Sequence, residues 1–259
     1  MMISAEISKK RLIPLAATFA AVYAILRLLP IFLMIGGSGR AFSTTEFVAP
    51  LLGIILGPAV GSVAGIIGTF VGITLTGRMN FFGLDFLPVM INALVLGLLM
   101  RRRTPLALAL YSALIVLFFV DPSTLHFVSM SFLGRTVSIP FIWLHIITWI
   151  LLASPLSTKS IEWITGVSEK KRVTAACVLS LIGTTAQHLT GTLLFASMAV
   201  PMMGMTPTAL QGTWTAVFYT YPIERLAIIL PPATVVTAAV VKTVQSTRLF
   251  RTPGKTAIQ

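Results

Sequence analysis

Few residues in this chain are able to do chemistry, and most of those carry charge. Four of its seven acids, Glu46, Asp85, Asp121 and Glu224, fall where apolar runs end, close in the pattern to Arg40, Arg78, Arg135 and Arg225. Asn92 and the pair Gln187-His188 interrupt otherwise apolar stretches. A polar group inside such a stretch is costly, so it marks either a packing hydrogen bond or a ligand contact. Both readings stay open for His188 and for Asn92. Glu224 and Arg225 are adjacent, so on a helix they point in different directions and cannot simply neutralise each other. Arg40, Arg78 or Asp85 would then supply the partners. Arg27, at the end of the first apolar run, reads as a snorkelling side chain. Together these groups suit the binding of one small polar or zwitterionic molecule. Arg40, Glu46, Asp85, Glu224 and Arg225 would make the charged contacts, with Asn80 and Tyr221 as hydrogen-bonding support.

The patterns of catalysis are missing. The chain has no Gly-x-x-x-x-Gly-Lys-Ser/Thr loop, no Gly-x-Ser-x-Gly, no His-Glu-x-x-His and no paired-aspartate motif for magnesium diphosphate chemistry. The single cysteine, Cys177, excludes an internal disulfide, and with three separated histidines it argues against a metal site. No enzyme, metal or cofactor is expected, although an intramembrane enzyme stands as a third reading.

The elements that must position these groups are apolar and long. Hydrophobic residues make up 56% of the 259-residue chain and charged residues only 10%. A soluble domain carries roughly 25% charged residues, so much of this protein's solvent is lipid. The net charge of +12 comes as short basic clusters between apolar runs. That is the spacing of cytoplasmic loops, not of a nucleic-acid surface. Apolar runs at 12–35, 47–76, 83–100, 105–120, 137–153, 173–198 and 214–244 predict an all-α, polytopic transmembrane bundle of six to eight helices or half-helices. The first run is too long for a secretory signal core and reads as an uncleaved helix.

The 47–76 run is longer than one untilted span, and Gly57-Pro58 near its middle predicts a break. If the chain reverses there, fourteen of the nineteen Lys and Arg residues fall on one side, with both termini. The positive-inside rule makes that side the cytoplasm. The expected organisation is one integral membrane domain over 1–259. Its cytoplasmic parts are the N-terminal segment 1–11, the interfacial loop 154–172 and the basic tail 245–259. Asp85 and Glu224 then stand where helices enter the bilayer from outside. A charge-free outer connection at 199–213 suits a lid. Glycines at 53, 57, 61 and 65, then 68 and 72, and alanines at 16, 20 and 24, form small-residue stripes for close helix packing.

The order of these features resembles the substrate-binding membrane subunits, or S components, of energy-coupling factor (ECF) transporters. It runs from an Ala-x-x-x-Ala first helix through an outer loop at 36–47 to Leu56-Gly57-Pro58 and a glycine-rich helix. Tyr221-Pro222-Ile223-Glu224-Arg225 is similar to the start of that family's last helix. The clear likeness covers 12–100, with a weaker one over 173–244. Eight arms depart from the usual six helices, so either the pair at 105–120 and 137–153 is an insertion or one arm does not span. The resemblance implies capture of a vitamin or related precursor at the outer face of a multi-pass cell-membrane protein. It also implies a transmembrane coupling subunit docked on Ala16, Ala20 and Ala24, and cytoplasmic ATPases that supply the energy. With no histidine before His126, the cobalt and nickel branch is excluded. A self-sufficient permease is the main alternative.

Overall fold

A computed structural model of the chain describes residues 9–33, 35, 41–132 and 134–246. The protein is mostly helical. Helix α1 (Lys9–Leu26) leads into strand β1 (Pro30–Leu33), which pairs antiparallel with β2 (Ala41–Ser43). A 3-10 turn at Thr44–Phe47 follows, then α2, formed by Ala49–Leu51 and a π-helical turn at Leu52–Leu56. After Gly57 come α3 (Pro58–Thr76), α4 (Phe86–Met100) and α5 (Thr104–Val120). A second hairpin, β3 (Phe127–Phe132) with β4 (Arg135–Pro140), leads to α6 (Trp143–Ala153) and α7 (Pro155–Ile164). The chain closes with α8 (Glu169–Ala199) and a continuous α9 (Pro207–Ser246).

Helices α3 and α9 are long and apolar enough to cross a membrane. So is the pair α6–α7 if its 71° bend is one broken span. Helices α1, α4 and α5 are apolar but shorter. The 31-residue α8 runs through the middle, packed against α4, α6, α7 and α9. Its Ser180, Thr184, Thr185, Gln187, His188, Thr190 and Thr192 all face inward. Several hydroxyls are satisfied locally, as Thr184 Oγ1 donates to Ser180 O at 2.7 Å and Thr185 Oγ1 to Leu181 O at 2.7 Å.

Three expectations need correction. The chain is not all-α, because two short hairpins interrupt it. The first helix stops at Leu26 rather than running to 35. Pro30 restricts the residue before it and cannot donate to a helix, and Thr44 Oγ1 caps Leu26 O at 3.0 Å. The last helix begins at Pro207, so the 199–213 loop shrinks to a short turn. Thr206 accepts from Ala209 N at 3.2 Å and Pro207 occupies the first turn, an N-cap and N1 proline that the sequence already displays. The segment 221–225 therefore lies mid-helix. The basic tail beyond Ser246 and the segment before Lys9 lie outside the described residues.

The break in the 47–76 run falls at Gly57, whose φ of 79° suits glycine alone. The eight residues of α2 rise about 12 Å, well short of a ~30 Å hydrocarbon core, so α2 is a half-helix. It is wholly buried, with Leu51, Leu52, Ile54, Ile55 and Leu56 at 0–1% exposure. Irregular backbone at such depth is tolerable only when surrounded by protein. Glycines make room for it. A Cβ at Gly61 would strike the backbone of Leu52, one at Gly97 the backbone of Pro58, and one at Gly53 would lie 2.8 Å from Ala93 O. Gly61→Val and Gly97→Val should each cost about 3 kcal/mol or more, because fixed backbone cannot yield. Gly212→Ala, with open space around it, should leave stability unchanged or slightly higher. Thermal unfolding followed by size-exclusion chromatography in detergent checks all three, and a Gly61→Val protein as stable as the parent would refute this account of the half-helix.

Candidate functional site

The charged residues converge at one end of the bundle, where α1 and α3 finish and α4 begins. Arg27 follows the last turn of α1. Its Nη2 donates to Asp85 Oδ1 at 3.1 Å and to the carbonyl of Arg78 at 3.3 Å. Asp85 precedes α4 and also accepts from the backbone N–H groups of Asn80 at 2.8 Å and Phe81 at 2.9 Å. Arg27 is thus a pairing residue and not a snorkelling one. Asn80 Nδ2 donates to Ala41 O at 3.1 Å, fastening the α3–α4 loop to β2.

A second, deeper pair forms between Glu46 and Arg225. Arg225 Nη1 lies 2.7 Å from Glu46 Oε2, with Arg225 at 1% and Glu46 at 7% exposure. Glu46 Oε1 accepts from Gln187 Nε2 at 2.6 Å, and Gln187 Oε1 accepts from Asn92 Nδ2 at 2.7 Å. A chain of polar groups therefore crosses from α4 through α8 to the Thr44–Phe47 turn and α9. Arg40, Arg78 and Asp85 were the expected partners of Glu224 and Arg225, with only Asp85 able to offset the charge of Arg225. The partner is Glu46, which sequence separation had hidden. Phe42 stacks over the guanidinium, its ring centre 5.3 Å from Cζ. Arg225 Nε and Nη2 are buried and have no hydrogen-bond partner among the described residues. The Glu224 carboxylate, half-buried, makes no ion pair or hydrogen bond among the described residues.

These groups surround a pocket. Its charged lining is Arg27, Arg78, Glu46, Asp85, Glu224 and Arg225, and Asn80 also lines it. Tyr23, Phe42, Phe81, Phe195 and Trp214 give it aromatic walls. Arg40 lies outside the described residues. Tyr221 does not line the pocket. It is fully buried behind it, donating to Phe141 O at 2.9 Å and stacked on His188 (5.1 Å) and His145 (5.4 Å). The two histidines meet at 3.0 Å between His145 Nε2 and His188 Nδ1, the interhelical bond that was one reading of His188, while His188 also reaches the pocket. The π-helical turn at Glu224–Ile229 holds Glu224 and Arg225 at the same pocket wall. Gln187, Tyr23 and Arg27 are site residues that sequence reasoning did not assign. Only Gln187 and Arg27 had a signal, as polar groups inside apolar runs.

Along α1, Ala16 is half-buried, while Ala20 (6%) and Ala24 (2%) turn inward. A Cβ at Gly68 would lie 2.8 Å from Ala20 O, so α1 and α3 are in backbone contact there. Beside that contact Ala16, Ala17, Ala20 and Ala21 of α1 and Val60, Val63 and Ile67 of α3 line an apolar groove on the surface. Among the described residues no cluster of three or more His, Cys, Asp or Glu could hold a metal. No protein-family model, no curated protein and no solved structure matches this chain.

Removing one member of a buried pair leaves the other charge uncompensated, at about 3–5 kcal/mol. Glu46→Gln should therefore lower the unfolding temperature strongly. Arg102→Gln, which breaks the exposed pair with Glu162 (52% and 57% exposed), should cost under about 1 kcal/mol. Equal effects in a thermal melt would contradict the buried network.

Proposed function

We propose that this protein is a membrane-embedded substrate-binding subunit of an ECF-type uptake transporter, capturing a small molecule such as a vitamin or related precursor at the outer face. The observation that carries this reading is the pocket. Three cationic and three acidic side chains converge with aromatic walls at one end of an apolar bundle. Pockets of mixed apolar walls and a few placed polar groups are the usual form of a small-molecule site.

In this reading the protein is a multi-pass cell-membrane domain with both termini cytoplasmic. Its support is the placement of charge. Arg101, Arg102, Arg103, Lys159, Lys170, Lys171, Arg172 and Lys242 all sit at helix ends or on α7, at the end of the bundle away from the pocket. The positive-inside rule then puts the pocket outside. Six to eight arms are counted by adding the short helices α1, α4 and α5, the half-helix α2 and the central α8 to the longer spans. In an otherwise cysteine-free protein, Arg102→Cys should react with an impermeant maleimide only after the cell membrane is opened. Labelling of intact cells at position 102 would overturn the orientation.

The coupling subunit would dock on the groove between α1 and α3, and cytoplasmic ATPases would drive release. Ala20 is committed to α3, so the exposed Ala17 and Ala21 are the better probes of docking. The second reading, a self-sufficient permease, is favoured by the broken helix at Gly57, since discontinuous helices build many secondary-transporter sites. One experiment separates them. The purified protein should retain a small molecule identifiable by mass spectrometry. In proteoliposomes it should bind that molecule without accumulating it unless the coupling subunit and ATPases are present, and Ala21→Trp should abolish accumulation but not binding. Accumulation by the protein alone would establish the permease.

A further inference from the structure

The state of each charged group in the pocket narrows the ligand. Asp85 accepts from three donors through its two oxygens, and Glu46 has one oxygen on Gln187 and the other on Arg225. Both acids are occupied within the fold. Two groups remain. On a guanidinium, Nε–H and one Nη2–H point the same way and form a fork that matches the two oxygens of a carboxylate. In Arg225 that edge is buried and has no partner among the described residues, because Glu46 is held through Nη1. One residue earlier, Glu224 presents to the same pocket a carboxylate with no ion-pair or hydrogen-bond partner among the described residues.

On that basis, and resting on the substrate-binding reading above, we propose that the ligand is a compact zwitterion. Its carboxylate sits on the Nε–Nη2 edge of Arg225, and its cationic nitrogen faces Glu224. The described lining holds three arginines and three carboxylates, of which Arg78 is exposed to solvent. A bare cation would leave the Nε–Nη2 edge of Arg225 without an acceptor and a bare anion would leave Glu224 without a donor, whereas a zwitterion meets both. A phosphate dianion fits Arg225 poorly because Glu224 stands beside it. Both groups line the same pocket, so the ligand carries its two charges within one small molecule, as in an α- or β-amino acid. The walls of Tyr23, Phe42, Phe81, Phe195 and Trp214 select an apolar or aromatic body.

The test uses the full-length protein in detergent with the twenty L-amino acids and β-alanine as probes, read by the rise in unfolding temperature. At least one apolar or aromatic member should bind. Its methyl ester and its N-acetyl derivative should each bind about ten- to hundredfold more weakly, the loss of one charge-assisted contact. These comparisons need no variant. Glu224→Gln should then lose the parent's preference for the free amine over the N-acetyl form, and Arg225→Lys its preference for the acid over the ester. In parallel, whatever the protein retains from a cell extract is identified by mass spectrometry. A retained molecule without paired charges, or an ester or amide that binds as well as its parent, overturns the zwitterion and leaves the binding role standing. Retention of nothing, with no probe bound, overturns both.

Discussion

The buried pair between Glu46 and Arg225 is the constraint around which the rest of this protein is arranged. Two charges withdrawn from water face a desolvation cost that their attraction offsets only with close geometry and further hydrogen bonds. At 2.7 Å, and with Gln187 on the second oxygen, Glu46 has both. The pair joins residues 179 positions apart, and the Gln187–Asn92 bond extends the connection to α4. The Thr44–Phe47 turn, α4, α8 and α9 must therefore meet at one depth. The pocket exists because they do, and its walls are the remaining faces of the same elements.

Around this pair the bundle tolerates breaks that lipid would not. The half-helix α2 exposes backbone ends at Gly57, yet α3 and α4 close over it through Gly61 and Gly97. The π-helical turn at Glu224 widens the helix where Arg225 must reach inward. Central α8 carries its polar residues on inward faces, where Tyr111 lies 2.9 Å from Thr148 Oγ1 and 3.1 Å from Thr185 Oγ1. Polar groups are thus collected inside, and outward faces such as Val63, Ile67 and Val71 stay apolar. That distribution inverts the soluble pattern and suits a lipid surround.

Much of the outline was legible in the sequence. Composition required helices in an apolar solvent, and Gly57-Pro58 within thirty apolar residues required a break. The small-residue stripes required close approach, as Gly68 on Ala20 bears out. The convergence of Glu46, Asp85, Glu224 and Arg225 near one pocket was approached through charge alone, and Asn80 through its hydrogen-bonding capacity. The two hairpins were missed because their strands, three to six residues long, lie within or between apolar runs whose length favoured helix. The start of α9 was missed because hydropathy outweighed the Thr206-Pro207 cap.

Periodicity, composition and glycine or proline chemistry are local properties, and they determined most of the helices and the break. Which acid meets which base is not local. Adjacent Glu224 and Arg225 look equivalent in the sequence, and only the packed structure spends one edge of Arg225 on Glu46 while Glu224 pairs with none of the described residues. The physical reason is that an ion pair is chosen by distance and burial. Both arise only when helices remote along the chain are pressed together and water is excluded between them.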